Sequence, residues 1–427
     1  MQTSIETDIL VTGGGLAGCF AAIAAKRTNP ASRVFLVEKY GFLGGMATAG
    51  FVFPYMSYKS ANKRLVGGLF KELNDRLVKE GFMLDASRDF PSRFDSAMLR
   101  CVLDTMVIEA GVDMLFHGLV NCVETRSDSI DAKKIVSETI QTKAGSIHAT
   151  AKWYIDATGN ADIVFHAGGK WVMGRESDGL VQPATLNFRV GNIGMLAPNR
   201  QIIGVKIKTE KKAGNPLTPR DNCLAFDAGH HQLHFNQTRV AGFDFTDPFA
   251  MTAAEIEGRK QASRFIHFLR DKIPGYKRST VVDLGTELGL RETRRIVGEY
   301  VLTEQDLLDC KQFPDRIGLG NYSIDIHDPK GTANTDIRHI PAGKWYSIPF
   351  RSLIPKDISN LLVAGRPISA THVAHSAIRI LPTCSAIGHA AGVAAGLIAQ
   401  ANSSGTFKDL LVAKIQSLLR DQGAVLE

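Results

Sequence analysis

The chain has 427 residues, of which 44% are hydrophobic and 22% charged. This length predicts two or three domains, and the apolar fraction excludes global disorder. The formal net charge of +7 comes without a long basic run, so it favours small anionic ligands over nucleic acid as partners.

The six cysteines lie far apart, and no two of them have a CxxC spacing. This spacing predicts neither a disulfide framework nor a cysteine-ligated zinc site or iron–sulfur cluster. Free thiols favour a reducing, cytoplasmic location. The N-terminus lacks the basic region and apolar core of a signal peptide, and no apolar stretch is long enough to span a membrane uninterrupted, so we expect no membrane partner.

The first motif along the chain is a glycine-rich turn between a strand and a helix. Residues 8–12 predict a buried strand, residues 19–26 an alanine-rich helix and residues 33–38 a second strand. The turn reads Gly13-x-Gly15-x-x-Gly18, and Glu38 stands 20 residues beyond its last glycine. This context predicts a dinucleotide site, in which the glycines admit the pyrophosphate, the helix N-terminus attracts it and the acid receives the ribose hydroxyls.

The following segments alternate between helical and strand patterns. We expect a helix over residues 92–110, a strand over 112–116, and an antiparallel meander over 119–125, 134–141 and 146–149 with a turn at 127–131. A strand over 153–155 ends at the sequence Asp-Ala-Thr-Gly. Further on, Thr252 and Glu255 predict a capping box for a helix reaching 272, residues 360–364 a buried strand, and 382–400 a helix of small residues.

The two ends of the chain therefore read as one α/β domain and the middle as an insertion. We predict a discontinuous, Rossmann-like cofactor domain over residues 1–50, 95–170 and 350–427. Residues 51–94 and 171–349 are expected to form an α+β substrate or cap domain.

Several features favour FAD over the other dinucleotides. Glu38 favours an unphosphorylated ribose, as in NAD or FAD, over NADP. A second glycine pair, Gly44-Gly45, follows the second strand, and the meander precedes residues 156–159. Near the C-terminus, a strand runs into Gly365-Arg366, and the helix from residue 382 aims its N-terminus at a second part of the ligand. A simple NAD dehydrogenase would leave this C-terminal unit without a role.

These segments resemble a family of FAD-dependent oxidoreductases with many bacterial members. The resemblance covers residues 8–50, 154–168, 284–306 and 348–396, and more weakly 236–274. The family is distantly similar to the flavoprotein component of heterodisulfide reductase and, more broadly, to the glutathione-reductase-type flavoproteins, including the fumarate reductase branch. The resemblance implies a glutathione-reductase-type FAD domain with a three-stranded meander.

By position, the resemblance also assigns the cofactor-binding residues. The ADP half would contact Gly13, Gly15, Leu16, Ala17, Gly18, Glu38 and Lys39. The rest of the cofactor would contact Gly44, Gly45, Met46, Val120 (near the adenine), Ala157, Thr158, Gly159, Asp162, Gly365, Arg366, Thr383 and Cys384. Many relatives carry an acidic residue where Arg366 stands, so this position departs from the family pattern.

Catalytic candidates are titratable or cationic residues in the segments nearest the cofactor. His372 and His375 are each a candidate proton donor or acceptor, or else a loop-stabilising histidine. Arg379 would anchor a carboxylate or phosphate, or pair with an acid. Arg291 would recognise an anionic substrate; alternatively Arg291, Arg294 and Arg295 form an ion-pair network between domains, with Arg291 and Arg295 on one face of a strand.

Three other patterns invite a functional interpretation, and we favour a structural one for each. The sequence His230-His231-x-x-His234 has too few placed ligands for a metal and reads as an edge strand. The aromatic residues 51–58 are expected in the core rather than in a pocket. A helix dipole would lower the pKa of Cys384, but no second thiol is near for redox chemistry.

The sequence thus predicts a flavin enzyme without a metal. It would exchange a hydride between flavin N5 and a small organic substrate, anionic or polyhydroxylated, with an unidentified electron acceptor or donor. The alternatives are an electron-transfer subunit that works with iron–sulfur partners and a non-catalytic FAD-binding protein.

Overall fold

The computed structural model describes residues 3–130, 132–215, 217–332, 334–400 and 405–427. Residue 131, at the end of the predicted turn at 127–131, lies outside these ranges. The first part of the chain folds as β1 Ser4–Thr12, α1 Leu16–Thr28, β2 Val34–Val37, β3 Lys59–Ser60, β4 Lys63–Arg64, α2 Leu69–Lys79, α3 Ser96–Glu109, β5 Asp113–Leu115, β6 Leu119–Ser127, β7 Lys133–Thr142, β8 Gly145–Asp156 and α4 Asp162–His166.

The middle and the C-terminal parts contain the remaining elements. The middle comprises β9 Trp171–Met173, β10 Phe188–Gly191, α5 Arg200–Lys212, β11 Ala225–Asp227, β12 Leu233–Phe235, α6 Pro248–Lys272, β13 Thr280–Leu284 and β14 Arg294–Ile296. The C-terminal part comprises α7 Glu304–Leu308, β15 Arg316–Gly320, β16 Ile324–His327, β17 Thr335–Arg338, β18 Tyr346–Pro349, β19 Leu361–Val363, α8 His372–Ile378, α9 Leu381–Gln400 and α10 Val412–Asp421.

A seven-stranded sheet dominates the described part of the chain, with order β5-β2-β1-β8-β7-β6 and β19 beside β8. Strands β5, β2, β1, β8 and β19 are parallel, whereas β6, β7 and the first half of β8 form an antiparallel meander. The C-terminal ends of β1 and β8 and the whole of β19 are buried, as expected for parallel strands that are covered on both faces. The result is an α/β fold of the Rossmann-like kind.

Strand β8 corrects the prediction of separate strands at 146–149 and 153–155. It is one strand of 12 residues. Its first half pairs with β7 on one side, its last three residues pair with β19 on that same side, and β1 pairs along the other side. Because β8 serves both the meander and the parallel sheet, its sequence changes from alternating to continuously buried within a single strand.

Helices α1 and α9 pack against each other through small residues. A Cβ on Gly388, Gly392 or Gly396 of α9 would overlap the α1 carbonyl oxygen of Ala17, Ala21 or Ala25, respectively. Among the described residues, α9 is the one helix long and apolar enough to cross a membrane, but 89% of its most apolar window is buried inside the protein. The buried core helix of a soluble protein can have the same length and mean hydropathy.

The buried hydrophobic residues form two cores. The first contains the large sheet, α1, α9 and most of the chain outside the middle. The second, which we call the cap core, runs from Val181 to Leu290 and includes Phe188, Phe235 and Phe265 beneath α6. Residues 51–94, which the sequence assigned to the cap, contribute Phe53, Tyr55, Phe70 and Phe94 to the first core.

Two local predictions were wrong, the capping box formed by Thr252 and Glu255 and the strand that contains Arg291. Helix α6 begins at Pro248 with Asp247 as its cap, so Thr252 lies inside it and donates to the carbonyl of Pro248, 2.8 Å away. Glu255 instead accepts the N–H of Leu288 at 2.7 Å. Strand β14 begins at Arg294 and therefore excludes Arg291.

The tandem histidines occupy a turn rather than an edge strand. His230 and His231 adopt φ values of 49° and 56°, between β11 and β12. His234 is fully buried in β12 against Phe51 and Phe53. Across the described ranges, no group of three or more His, Cys, Asp or Glu residues could hold a metal ion.

Candidate active site

The carboxyl ends of the parallel strands meet at one edge of the sheet, and a cavity lies there. The residues that directly follow β1, β2, β8 and β19, namely Gly13, Glu38, Ala157 and Ala364, all line it. In open α/β sheets this edge is where ligands bind. The topology therefore brings together four chain segments that lie far apart in the sequence.

A glycine cradle forms the floor of this end of the cavity. We use this name for Gly13, Gly15, Gly44 and Gly45, which all line the cavity. The N–H of Gly44 donates to the carbonyl of Gly14 at 2.8 Å, which ties the two glycine turns together. A Cβ on Gly15 would meet only the Cα of Gly45, at 3.8 Å, so the space above it is open. No side chain caps α1, whose N-terminus therefore faces the cavity with free donors.

Glu38 and Lys39 stand beside the cradle. The Glu38 carboxylate accepts the N–H of Gly14 at 2.5 Å and that of Tyr40 at 2.9 Å, and burial raises its pKa. Each oxygen has a second lone pair, so the carboxylate can still receive a ribose hydroxyl. Lys39 Nζ lies 3.1 Å from Glu287 in the middle part of the chain.

The cavity continues from the cradle to the cap and has a volume of about 740 Å³. Between its two ends it passes the N-terminus of α9 at Leu381 and Cys384, and Arg366. Arg366 is 8% exposed and donates to the carbonyl of Gly159 at 2.9 Å, the side chain of Asn160 at 2.7 Å and the carbonyl of Leu290. These bonds hold the turn after β8 against the cap.

Three arginines surround the cap end of the cavity, and we call Arg220, Arg291 and Arg379 the arginine cluster. Arg291 is 7% exposed and donates to the carbonyl of Pro183 at 2.6 Å and to Thr185 Oγ1 at 2.9 Å. Burial, followed by the charge of Arg379, holds its pKa below the usual range. Burial and the nearby Arg239 lower the pKa of Arg220 to about 10. Positive charge is thus concentrated in a poorly solvated place.

Asp325 is the carboxylate that faces this cluster. Its Oδ2 accepts the Tyr322 hydroxyl at 2.7 Å and lies 3.5 Å from Arg379 Nη2 and 3.6 Å from His327 Nε2. Burial and the charge of Asp325 raise the pKa of Tyr322. The Tyr322 hydroxyl therefore keeps its proton and can pass it only along a hydrogen bond.

His327 is held as a neutral donor. Its Nδ1 lies 3.2 Å from Arg239 Nη2, and because a guanidinium only donates, Nδ1 must be the acceptor. The ring proton is then on Nε2, which faces Asp325. Burial, together with Arg291 and Arg379, lowers the pKa of His327. The imidazole is thus uncharged at neutral pH.

The structure brings most of the predicted cofactor residues to one cavity. Its lining includes Gly13, Gly15, Leu16, Ala17, Glu38, Lys39, Gly44, Gly45, Met46, Ala157, Thr158, Gly159, Gly365, Arg366 and Cys384, and also the predicted Arg291 and Arg379. Four predicted cofactor residues are not among the lining residues: Gly18, Val120, Asp162 and Thr383.

These four have local structural partners or surroundings. Gly18 packs so close to Gly13 that a Cβ would overlap the Gly13 carbonyl. Val120 pairs with Ile140 within the meander, and Asp162 forms an ion pair with Arg294 at 2.9 Å. Thr383 is buried in α9.

The two predicted catalytic histidines lie outside the cavity lining, so a direct acid–base role is not supported. His372 Nδ1 donates to the buried carboxylate of Glu292 at 2.9 Å. The Glu292 carboxylate also accepts hydrogen bonds from the Arg295 guanidinium and from the backbone N–H of Gln182. His375 is fully buried, and its ring nitrogens have no hydrogen-bond partner in the described structure. Burial and nearby arginines, Arg295 first, keep its pKa well below the usual value.

The structure also distinguishes between the alternatives that the sequence left open for the arginines, for residues 51–58 and for Cys384. Arg294 and Arg295 pair with Asp162 and Glu292, as the ion-pair interpretation expected, whereas Arg291 faces the cavity. Of residues 51–58, the large aromatic side chains are buried, but Phe53 also lines the cavity. Burial raises the pKa of Cys384 to about 12, against the expected lowering by the helix dipole.

The sequence analysis missed Arg220, Tyr322, Asp325 and His327. One signal was available for two of them, because Asp325 and His327 alternate with Ile324 and Ile326, which places both polar side chains on one face of β16. Nothing in the sequence indicated that β16 reaches the cavity.

A glycine cradle at the sheet edge, joined to a polar cap cavity, defines an enzyme that uses a dinucleotide cofactor. The family model of FAD dependent oxidoreductases matches residues 8–419. The chain belongs to this family, it is an FAD-dependent oxidoreductase, and its cofactor is FAD. A search of the curated proteins found no match.

Several solved structures are similar to this chain over almost its whole length. A geranylgeranyl bacteriochlorophyll reductase-like protein from Thermoplasma acidophilum is 12% identical, with 98% of this chain and 84% of that chain covered and a TM-score of 0.49. The p-nitrophenol 4-monooxygenase from Pseudomonas putida is 12% identical, with 98% of this chain and 89% of that chain covered and a TM-score of 0.47. A flavoprotein/dehydrogenase from Cytophaga hutchinsonii is 13% identical, with 98% of this chain and 84% of that chain covered and a TM-score of 0.44. Similarity at this level does not bear on the substrate.

The residues present fit FAD. The open space above Gly15 and the uncapped N-terminus of α1 suit a pyrophosphate, and Glu38 suits the ribose. The cavity then extends past Gly365 and the start of α9, which gives room for the flavin half of the cofactor.

Proposed function

We propose that the enzyme is a dehydrogenase or reductase that acts on a small organic substrate bound at the cap end of the cavity. One observation carries the proposal: a single cavity is lined by the glycine cradle at one end and by Tyr322, Asp325 and the arginine cluster at the other. Bound FAD supplies hydride exchange at flavin N5. The polar cap residues would bind and orient the molecule that reacts there.

The cofactor is held, on this proposal, by the backbone of Gly15 and Gly45 at the pyrophosphate and by Glu38 at the ribose. The start of α9 would direct its positive end toward the flavin ring. The meander β6–β8, inserted between β5 and the C-terminal half of β8, supports the glutathione-reductase-type arrangement that the sequence suggested.

Proton transfer is assigned to the pair of Tyr322 and Asp325. Asp325 would hold the proton that a substrate hydroxyl releases, either directly or through the Tyr322 oxygen, 2.7 Å away. His327 would contribute a neutral hydrogen-bond donor at Nε2. The fixed tautomer makes His327 unsuitable as a base, because its only unprotonated nitrogen faces Arg239.

The experiment is anaerobic reduction of the purified holoenzyme by hydroxy acids and sugars, with reoxidation by quinones. We expect at least one organic donor to bleach the flavin and Tyr322→Phe to slow that reduction by about 10²-fold. Tyr300→Phe is the matched control, because Tyr300 donates to Asp306 at 2.8 Å and neither residue lines the cavity. The proposal fails if dithionite reduces the flavin but no organic donor does.

An electron-transfer subunit with iron–sulfur partners is the second candidate, and co-purification of an iron protein that reduces the flavin would favour it. We also propose a cytoplasmic location and no nucleic-acid or membrane partner. Cys101 and Cys122 are exposed free thiols, which is compatible with a reducing compartment. The cap core at 181–290 supports a separate substrate domain. The cofactor-domain boundaries remain those proposed from the sequence, but residues 51–94 pack in the first core.

A further inference from the structure

We infer that the cap end of the cavity binds the carboxylate of a small organic anion through the arginine cluster. This inference rests on the proposed function, because it names the substrate class for the same site. It starts from a charge imbalance. Arg220, Arg291 and Arg379 line this end of the cavity together with a single aspartate, Asp325, while His327 is held neutral.

Arg220 is the strongest single observation. It is 6% exposed, its Nε has no hydrogen-bond partner in the described part of the chain, and its Nη2 makes only a long contact of 3.4 Å with Asn236 there. A buried guanidinium normally pairs with an acid or fills its donor sites. A carboxylate in the cavity would supply the missing acceptor.

Arg379 shows the same incompleteness. Its contacts with Asp325 are 3.3 Å to the backbone oxygen and 3.5 Å to Oδ2, and its buried Nε has no partner among the described residues. Asp325 is also committed to the Tyr322 hydroxyl at 2.7 Å. Asp325 alone therefore does not fill the donor groups of both Arg220 and Arg379, and a further carboxylate could accept from them.

Two members of the cluster, Arg220 and Arg291, come from the cap and not from the segments that suit the cofactor phosphates. Those phosphates have the glycine cradle and the N-terminus of α1. Arg220 belongs to the cap, and Arg291 bonds to Pro183 and Thr185, also on the cap side. A planar guanidinium favours a carboxylate because it can bond to both oxygens at once.

The buried arginines outside the cavity provide a comparison. Arg295 donates to Glu292, the carbonyl of Gly174 and the carbonyl of Ala370, so its charge is used within the fold. Arg189 is 8% exposed and lies over Phe51 and Phe53 without lining the cavity. Compared with Arg189 and Arg295, Arg220 alone combines burial, unfilled donors and access to the cavity.

The test is equilibrium binding to the oxidised holoenzyme, measured by calorimetry and by the shift of the flavin spectrum. The probes are acetate, glycolate, malonate and succinate, with malonamide as the uncharged analogue and inorganic phosphate as the competing anion. We expect at least one carboxylate to bind at least about tenfold more tightly than malonamide and phosphate. Arg220→Gln should weaken that carboxylate at least about tenfold, and Arg189→Gln should change it less than about twofold.

A second variant guards against misfolding of the first. Asp325→Asn removes the one negative charge facing the cluster and should tighten carboxylate binding, a gain that misfolding cannot produce. The inference is overturned if no carboxylate binds, if malonamide or phosphate binds as tightly, or if Asp325→Asn weakens binding. Because no turnover is required, binding without flavin reduction would overturn only the proposed function, and flavin reduction by uncharged donors without carboxylate binding would overturn only this inference.

Discussion

At the scale of single residues, substitution by alanine should affect FAD binding at Gly15 but stability at Gly18, although both belong to one motif. A Cβ at Gly15 has open space, and the φ of −66° there suits alanine. A Cβ at Gly18 would overlap the Gly13 carbonyl. We expect Gly15→Ala to leave the Tm of the apoprotein unchanged and to weaken FAD binding at least about tenfold, because the methyl occupies the pyrophosphate space.

Gly18→Ala should instead lower the Tm of the apoprotein, because the helix can no longer pack against the turn. Thermal unfolding of the apoprotein and titration with FAD, carried out on both variants, separate the two effects. Equal losses of Tm in the two variants would contradict the assignment of Gly15 to the cradle.

Glu138 predicts how stability depends on pH. It is 1% exposed, accepts the Thr12 hydroxyl at 2.6 Å, and burial raises its pKa from 4.5 to about 8. The folded state therefore keeps a proton that the unfolded chain releases, so the free energy of unfolding falls as pH rises from 4.5 to about 8. The slope reaches at most about 1.4 kcal/mol per pH unit.

Glu138→Gln cannot titrate and should flatten this part of the profile, measured by urea unfolding in buffers spanning the window. Asp156, whose pKa burial raises from 3.8 to about 6, leaves a slope over a narrower window at the acidic end. Glu124→Gln, on the exposed side of β6, is the control and should keep the wild-type profile. Parallel profiles for wild type and Glu138→Gln would disprove the buried proton.

At the scale of elements, the close contact between α1 and α9 depends on glycines in α9. Gly392→Ala would press a methyl against the Ala21 carbonyl and push the helices apart, at a cost of about 1–3 kcal/mol. Gly204 in α5 is the matched control, since the nearest atom to its Cβ would be 3.5 Å away. Gly204→Ala should stabilise the protein by about 0.5–1 kcal/mol, as alanine does in a helix interior. Urea unfolding of the apoprotein measures both, and two changes of the same sign would contradict this packing.

The elements that the sequence predicted best are those whose pattern reports burial directly. The strands β1, β2 and β19 and the helices α1 and α9 are short apolar runs or small-residue repeats, and their ends were predicted within a few residues. Strand β8 was divided because its exposure changes midway. The start of α6 was misjudged because Thr252 and Glu255 have partners at Pro248 and Leu288, and the second of these is a tertiary contact.

At the scale of the whole molecule, most of the cofactor end of the site could be predicted, whereas Arg291 and Arg379 were the only members of the arginine cluster and its polar partners that the sequence suggested. The cradle depends on glycines within local strand–turn–helix units, which a sequence displays. The cap end depends on Arg220, Asp325 and His327, which come together only when the cap core and β16 close around the cavity. His372 and His375 looked more promising by sequence proximity, yet the fold points them into the interior.

The same long-range assembly makes Arg366 a link between the two cores. Its guanidinium bonds to Gly159 and Asn160 after β8 and to the carbonyl of Leu290 in the cap core. We expect Arg366→Gln to leave these acceptors without a charged donor and to speed FAD release. We also expect the wild-type holoenzyme to unfold in one transition and the variant in two. Flavin fluorescence follows the release, and calorimetry follows the transitions.

Arg351→Gln provides the comparison for this last variant. Arg351 pairs with Asp315 at 2.9 Å with its side chain 49% exposed, so its loss should cost less than about 1 kcal/mol and leave FAD release unchanged. If Arg366→Gln released FAD at the wild-type rate and unfolded in one transition, the cap would be held to the sheet by its apolar contacts instead. Arg366 would then be a local contact within the cavity wall and not a link between the cores.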